Sequence, residues 1–258
     1  MAKLEGKVAI VTGSDSGIGR AIAEAFGEQG ATVVVTYNSD EEGANEAAVK
    51  MREKGTECKV FQLDVTDEQS ISNVFDEVQE TFGSIDILVN NAGVNGSDIF
   101  VSDMDTKTFD TCIKTNLYGP FFCCRKFLQL RHGNKKGGKI INVSSVHEHL
   151  ASAGNANYNA SKGGLKNFST SLALELAEKG INVNNIAPGM ILTEMNAEAV
   201  ADEKIRKQQE KNIPMRRAGE AGDIKAAAVF LASSDSDYIT GATITIDGGL
   251  SINIGQGA

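Results

Sequence analysis

The sequence predicts an α/β fold, a single doubly wound parallel sheet flanked by helices on both faces. Three observations predict it. Short β-branched runs alternate with amphipathic helical stretches along the whole chain, and such regular alternation means crossover units on a parallel sheet. The first strand opens into a glycine-rich turn that leads directly into a helix. No linker, repeat or low-complexity segment interrupts the 258 residues, a length that an α/β chain can fold as one domain.

Residues 7–12 are almost continuously apolar, as a central parallel strand should be. A helix is expected over 17–29, with Ile18, Ile22, Ala25 and Phe26 on one face and Gly30 ending it. Next come a strand at 32–36, a helix at 42–54, a strand at 59–63 and a helix at 67–82 with an acidic start. A strand at 85–89, one long helix at 106–131 and a strand at 139–143 continue the alternation. A second long helix at 157–178, a strand at 181–186, a helix at 221–232 and a strand at 242–246 complete it. The longest irregular stretch, 188–219, carries an expected helix around 202–211. So placed, it reads as a substrate lid rather than a second domain.

A formal net charge of -9 argues against nucleic acid or an anionic membrane as partner, because both reward a basic surface. The charged N-terminus runs straight into a strand pattern, and neither a signal peptide nor a membrane-spanning run is visible, so a cytoplasmic location is expected. Cys58, Cys112, Cys123 and Cys124 show no C-x-x-C and no metal spacing. They read as reduced thiols. His132, His147 and His149 form no ligand set, and no metal site is expected.

The turn after the first strand reads Thr12-Gly13-Ser14-Asp15-Ser16-Gly17-Ile18-Gly19. Gly13 permits the tight turn, Gly17 lets the backbone approach a phosphate, and Gly19 lets helix and strand pack closely. The helix start adds unpaired N–H groups and a positive dipole end, so this is a place for a pyrophosphate. Far downstream, Tyr158 and Lys162 lie one helical turn apart on one face. Ser145 ends the fifth strand and Tyr158 begins the next helix, so both reach the carboxyl edge of the sheet, where ligands of open α/β folds bind. A free phenol has a pKa of about 10, too high for proton exchange at neutral pH. A nearby ammonium favours the phenolate, which makes Tyr158 the expected general acid/base.

These pieces, with Asp64-Val65, Asn90-Asn91-Ala92-Gly93, Asn116, Ser144-Ser145 and Pro188-Gly189 followed by Thr193, stand in the order of one family. Over nearly its whole length the chain resembles a short-chain dehydrogenase/reductase, which implies a Rossmann-type sheet and a nicotinamide-dependent oxidoreductase. The resemblance implies a catalytic set of Asn116, Ser145, Tyr158 and Lys162. Ser145 would hold the substrate oxygen, Lys162 would also bind the nicotinamide ribose, and Asn116 would carry a water into a proton relay. It places the cofactor on Gly13, Ser14, Ser16, Gly17, Ile18 and Gly19. Asp64 and Val65 would meet the adenine, and Asn90, Asn91, Ala92 and Gly93 would pass beneath its ribose. Pro188, Gly189, Ile191 and Thr193 would back the nicotinamide. A silent cofactor-sensing module would be expected to lose Tyr158, Lys162 or Ser145 first, and all three are present.

Choice of cofactor turns on the end of the second strand, where an NAD enzyme usually places an acid. This chain has Thr36-Tyr37-Asn38-Ser39 there. The acid is missing, no Arg or Lys replaces it, and Asp40, Glu41 and Glu42 follow closely; with Asn38 and Ser39 able to donate to a phosphate, NADP(H) is favoured and NAD(H) possible. Within the family, Ser144-Ser145-Val146-His147-Glu148, Asn196-Ala197, Ile213-Pro214-Met215 and the tail after Asp247-Gly248-Gly249 resemble bacterial glucose 1-dehydrogenases. A polar His147-Glu148 pair beside Ser145 and Tyr158 suits a sugar. The small residues of 150–157 instead resemble 3-oxoacyl-carrier-protein reductases, so an acyl thioester or another carbonyl stays open.

Leu165, Phe168, Leu172 and Leu176 recur at helical spacing, and the two long helices are apolar on more than one face. Such a helix needs a second partner. The family pairs these helices across a two-fold, so a homotetramer is expected, with the tail, including Ile252 and Ile254, along a neighbour.

Overall fold

The computed structural model describes residues 2–131 and 137–253. His132, Ile254 and the tail at 255–258 lie outside the described residues. Seven parallel strands form the sheet: β1 (Val8–Val11), β2 (Thr32–Tyr37), β3 (Cys58–Gln62), β4 (Ile87–Asn90), β5 (Gly138–Val143), β6 (Ile181–Pro188) and a last strand (Thr243–Ile246). The last strand is β9, because β7 (Ile191–Leu192) and β8 (Gly219–Glu220) form a small parallel pair of their own. The spatial order is β3-β2-β1-β4-β5-β6-β9, so the strand order reverses between β1 and β4. That reversal opens a crevice at the carboxyl edge, where ligands bind in such sheets.

Alternation along each strand divides the core into two layers. Ala9 and Val11 pack with Val33, Val35 and Ile87 against Ile22 and Phe26 of α1 (Gly17–Glu28) and Ile224 of α9 (Gly222–Ala232). Ile10, Val34, Leu88, Ile140 and Val183 face the other way. They meet Phe75 of α3 (Glu68–Phe82), Phe127 of α5 (Gly119–Gln129) and Leu172 of α6 (Ala156–Leu176). Strands buried on both faces must be apolar throughout, and β1 and β4 are fully buried. On the first layer, α2 (Glu41–Glu53) starts from an Asp40 cap that accepts from the Gly43 amide at 3.0 Å.

The structure departs from expectation at the long helix of 106–131. It is α4 (Thr106–Ile113), a π-helical turn (Lys114–Tyr118) and then α5. Pro120 has no N–H, so the carbonyl of Asn116 lacks its ordinary α-helical donor, and the ladder widens there instead of continuing. The stretch after Pro188 holds more structure than expected: β7, α7 (Ala197–Ala201) and α8 (Glu203–Glu210) before β8. Helix α8 matches the helix expected there, and Asp202 caps it by accepting from Lys204 N at 2.7 Å.

The apolar stripe on α6 also reads differently in three dimensions. Leu165, Leu172 and Leu176 are buried within this chain, and Phe168 packs against its core, so this stripe is spent inside the chain. The exposed large apolar side chains on α4, the π-helical turn, α5 and α6 are Phe109, Tyr118, Phe121 and Leu174 instead. No helix among the described residues is long and apolar enough to cross a membrane.

Candidate active site

The glycine turn is built by hydrogen bonds from both neighbouring strands. Thr12, at the end of β1, accepts at Oγ1 from the amides of Asn91 and Ala92 at 2.9 and 3.0 Å. The Asn91 carboxamide donates to the carbonyls of Thr12 and Gly13 at 3.0 and 2.8 Å, clasping the turn from the side of β4. From β2, Thr36 Oγ1 accepts from the Gly13 amide at 3.1 Å. Gly13 and Gly17 both hold positive φ, +59° and +54°, which suits glycine alone without strain. A Cβ on Gly19 would overlap the Gly13 carbonyl and the Asn91 amide, so the third glycine is a packing requirement. The result is a backbone cradle at the start of α1 with room for a dinucleotide's phosphates.

A cavity of about 800 Å³ runs from this turn along the carboxyl edge of β4, β5 and β6. The residues expected to bind cofactor or substrate line it, except Ser14, Gly19, Asn90, Asn116 and Glu148. The Ser14 hydroxyl donates to Val11 O at 2.8 Å and accepts from the Thr36 amide at 2.9 Å, so it staples β1 to β2 instead of facing a ligand. Asn116 sits on the π-helical turn, and its side chain is spent on structure. Its Oδ1 accepts from the Val94 amide at 2.8 Å and its Nδ2 donates to Val94 O at 2.9 Å, fixing the segment after Gly93. Any part it takes in a relay falls to its main-chain carbonyl, which Pro120 leaves without the ordinary donor.

At the far end of the cavity stand Ser145, His147, Tyr158 and Lys162. Ser145 stands two residues beyond β5 and caps a short 3-10 turn (Val146–Glu148), its Oγ accepting from the His147 amide at 3.2 Å. Tyr158 lies in the first turn of α6 and lines the cavity together with Ser145. The His147 ring stands edge-on to the Tyr158 ring at 5.6 Å. Its Nδ1 lies 2.9 Å from Leu150 O, so a neutral imidazole bonded there keeps Nε2 free as an acceptor. Lys162 is buried, donates to Val143 O at 3.0 Å and has its Nζ 5.6 Å from the centre of the Tyr158 ring.

Electrostatics here differ from the simple expectation of an ammonium lowering a phenol. Burial pushes the Tyr158 phenol above 10, and the Ser145 hydroxyl only partly offsets it. Burial also brings Lys162 down to about 8, against the opposing pull of Cys112 and Glu148. Without a cofactor, burial of the phenol is the largest influence on it. The positive charge of an oxidised nicotinamide would supply the missing pull.

Glu148 corrects the expectation of a paired His147-Glu148 face toward a sugar. Its carboxylate is wholly buried, away from the cavity lining, with His149 Nε2 at 3.3 Å and Lys166 Nζ at 3.9 Å. Only His147 of the pair faces the cavity. Several lining groups stand outside the expected site set: Asp15 and Asp40 near the glycine turn, Glu194, and the buried Ser144 hydroxyl, which has no protein partner among the described residues. Of these, Asp15 lies inside the glycine motif itself and is legible there. The Cys112, Cys123 and Cys124 thiols are buried and free, and burial carries that of Cys124 to about 12.

A model of the short-chain alcohol dehydrogenases, described as enoyl-(acyl carrier protein) reductase, matches residues 13–251. The chain is 41% identical to glucose 1-dehydrogenase 2 of Bacillus subtilis, with 96% of each chain covered. It is 42% identical to the 3-oxoacyl-[acyl-carrier-protein] reductase of Haemophilus influenzae, covering 96% of this chain and 99% of that one. A gluconate 5-dehydrogenase from Burkholderia cenocepacia, solved with NADP and tartrate, superimposes with a TM-score of 0.89 at 33% identity and 97% coverage of both chains. This chain belongs to the short-chain dehydrogenase/reductase family of NAD(P)-dependent oxidoreductases.

Proposed function

We propose that this enzyme interconverts a hydroxyl and a carbonyl on a sugar or polyol, in the manner of a glucose 1-dehydrogenase. The observation that carries the reading is His147 set edge-on against Tyr158, beside Ser145, with one ring nitrogen tied to Leu150 O and the other free to meet a sugar hydroxyl. Similarity to the Bacillus subtilis glucose 1-dehydrogenase and to the gluconate dehydrogenase fold supports it.

In this reading the nicotinamide, when bound, supplies or accepts the hydride. Gly13, Ser16, Gly17 and Ile18 hold its pyrophosphate, Asp64, Val65 and Asn91–Gly93 flank the adenosine, and Pro188, Gly189, Ile191 and Thr193 back the ring. Ser145 Oγ donates to the reacting oxygen, and Tyr158 Oη takes or returns its proton. Lys162 holds positive charge beneath that phenol. Residues 188–219 act as a lid on one catalytic domain, and the uncovered apolar side chains of α4–α6 pair copies into a cytoplasmic homotetramer.

The test is the initial rate of NAD⁺ and NADP⁺ reduction with D-glucose and a panel of aldoses and polyols. The competing reading, reduction of a 3-oxoacyl thioester, is favoured by the small residues of 150–157 and by similarity to the Haemophilus influenzae reductase. The same enzyme assayed in reverse with thioesters separates the two.

A further inference from the structure

We propose that Asp15, seconded by Asp40, makes this enzyme select NAD(H) and reject NADP(H). The inference rests on the dinucleotide reading above and deepens it. It also reverses the preference expected from the end of β2 alone, because that expectation leaves Asp15 out.

In open α/β dinucleotide folds the end of the second strand marks where the adenosine ribose lies. Asn38 and Ser39 occupy that place, and Asp15 and Asp40 line the cavity beside them. The backbone brings the two residues to one place. Asp40 is fixed as the cap of α2, accepting from Gly43 N at 3.0 Å. A Cβ on Gly43 would meet the Asp40 carboxylate and, at 3.3 Å, the main-chain oxygen of Asp15, so the glycine turn and the start of α2 converge at this point. Glu194 approaches from the opposite wall, its Oε2 3.5 Å from Ser16 Oγ. Burial raises the Asp15 pKa, and both Asp40 and Glu194 raise it further, as carboxylates within one another's field must.

No cation of the cavity lining answers them. Among the described residues lining the cavity the acids are Asp15, Asp40, Asp64 and Glu194, and the one strong base is Lys162, next to Val143 at the Tyr158 end. Asp64 is turned onto Thr66, accepting from its amide and hydroxyl at 2.8 and 2.7 Å. Arg20 of α1 pairs with Glu24 at 3.2 Å and Glu46 at 3.8 Å and does not line the cavity.

The two cofactors differ only at the ribose 2′ position. A 2′-hydroxyl is a donor that a carboxylate accepts. A phosphate monoester brings about −1.5 to −2 charges at neutral pH and no donor when fully ionised. Their shared pyrophosphate meets the N–H groups at the start of α1 and discriminates nothing. The repulsive element that selects against the phosphate, absent from the end of β2, is supplied from the glycine turn.

The experiment is fluorescence titration of the full-length protein with NADH and with NADPH at low salt, without substrate. Wild type should bind NADPH at least ~10-fold more weakly than NADH. That ratio should fall several-fold in Asp15→Asn and further in Asp15→Asn/Asp40→Asn, a pair of changes that keeps a capping side chain at the start of α2. Added salt should narrow the wild-type ratio. Equal or tighter NADPH binding by wild type overturns the inference, as does a ratio that neither variant moves. Should a variant fail to fold, the wild-type ratio and its salt dependence decide alone. NADH selectivity without sugar turnover keeps this inference and sinks the sugar reading. Sugar oxidation with NADP⁺ preferred does the reverse.

Discussion

The carboxamide of Asn91 donates to the main-chain carbonyl of Gly13 at 2.8 Å, tying the end of β4 to the glycine turn after β1. This bond spans the point where the strand order reverses. It joins the glycine turn, the proposed phosphate cradle, directly to the segment after β4. Gly19 is what permits it, since any side chain there would strike both partners of the bond.

Gly19→Ala should therefore damage the cradle more than an exposed glycine replacement would. Overpacking against fixed backbone costs about 1–3 kcal/mol. Thermal unfolding should report that loss, and dinucleotide affinity should fall at least ~10-fold with it. Unchanged affinity would show that the turn does not hold the cofactor.

Tyr158→Phe should retain the fold and lose at least ~100-fold in kcat, the lower end of what a positioned acid/base supplies. Turnover near that of wild type, in a variant with a normal unfolding transition, would remove Tyr158 from the chemistry.

Lys162 carries a cost that depends on pH. Its folded pKa of about 8 lies below the ordinary 10.5, so between those values the unfolded chain binds the proton that the folded one has released. Stability from this residue therefore rises with pH across that window, by at most roughly 3 kcal/mol. Denaturant unfolding of wild type and Lys162→Met should show a variant advantage at pH 7 that shrinks by pH 10. A constant difference would mean that Lys162 is not held at a depressed pKa.

His147→Ala should raise KM for a sugar far more than for a simple ketone, since the imidazole has nothing to bond on the latter. Equal effects on the two substrates would take His147 out of the pocket.

The paired assembly is tested by light scattering at micromolar concentration, where a tetramer mass is expected and a monomer mass would contradict it. Leu174→Glu, on the uncovered face of α6, should weaken association while leaving the buried Leu172 side of the helix intact.

Much of this is legible in the sequence because the physics is local. The strands announce themselves by apolar runs, and the glycine turn and the Tyr158/Lys162 spacing need only a neighbouring strand and helix to become a site. What stays hidden depends on where side chains turn. The direction of Glu148 into the core, the outward face of α6 and the commitment of the Ser14 hydroxyl to β2 are tertiary facts without a periodicity. The π-helical turn is foreshadowed by Gly119-Pro120, but apolar spacing through 106–131 masks it. Asp15 stands in plain view, yet a motif read for its glycines hides the residues between them.

The most direct test of the central claim is the initial rate of nicotinamide reduction with D-glucose, set against 3-oxoacyl thioester reduction by the same preparation. Saturable oxidation of glucose or a closely related polyol, lost in Tyr158→Phe, is the predicted result. Silence on every sugar with ready turnover of thioesters would contradict it.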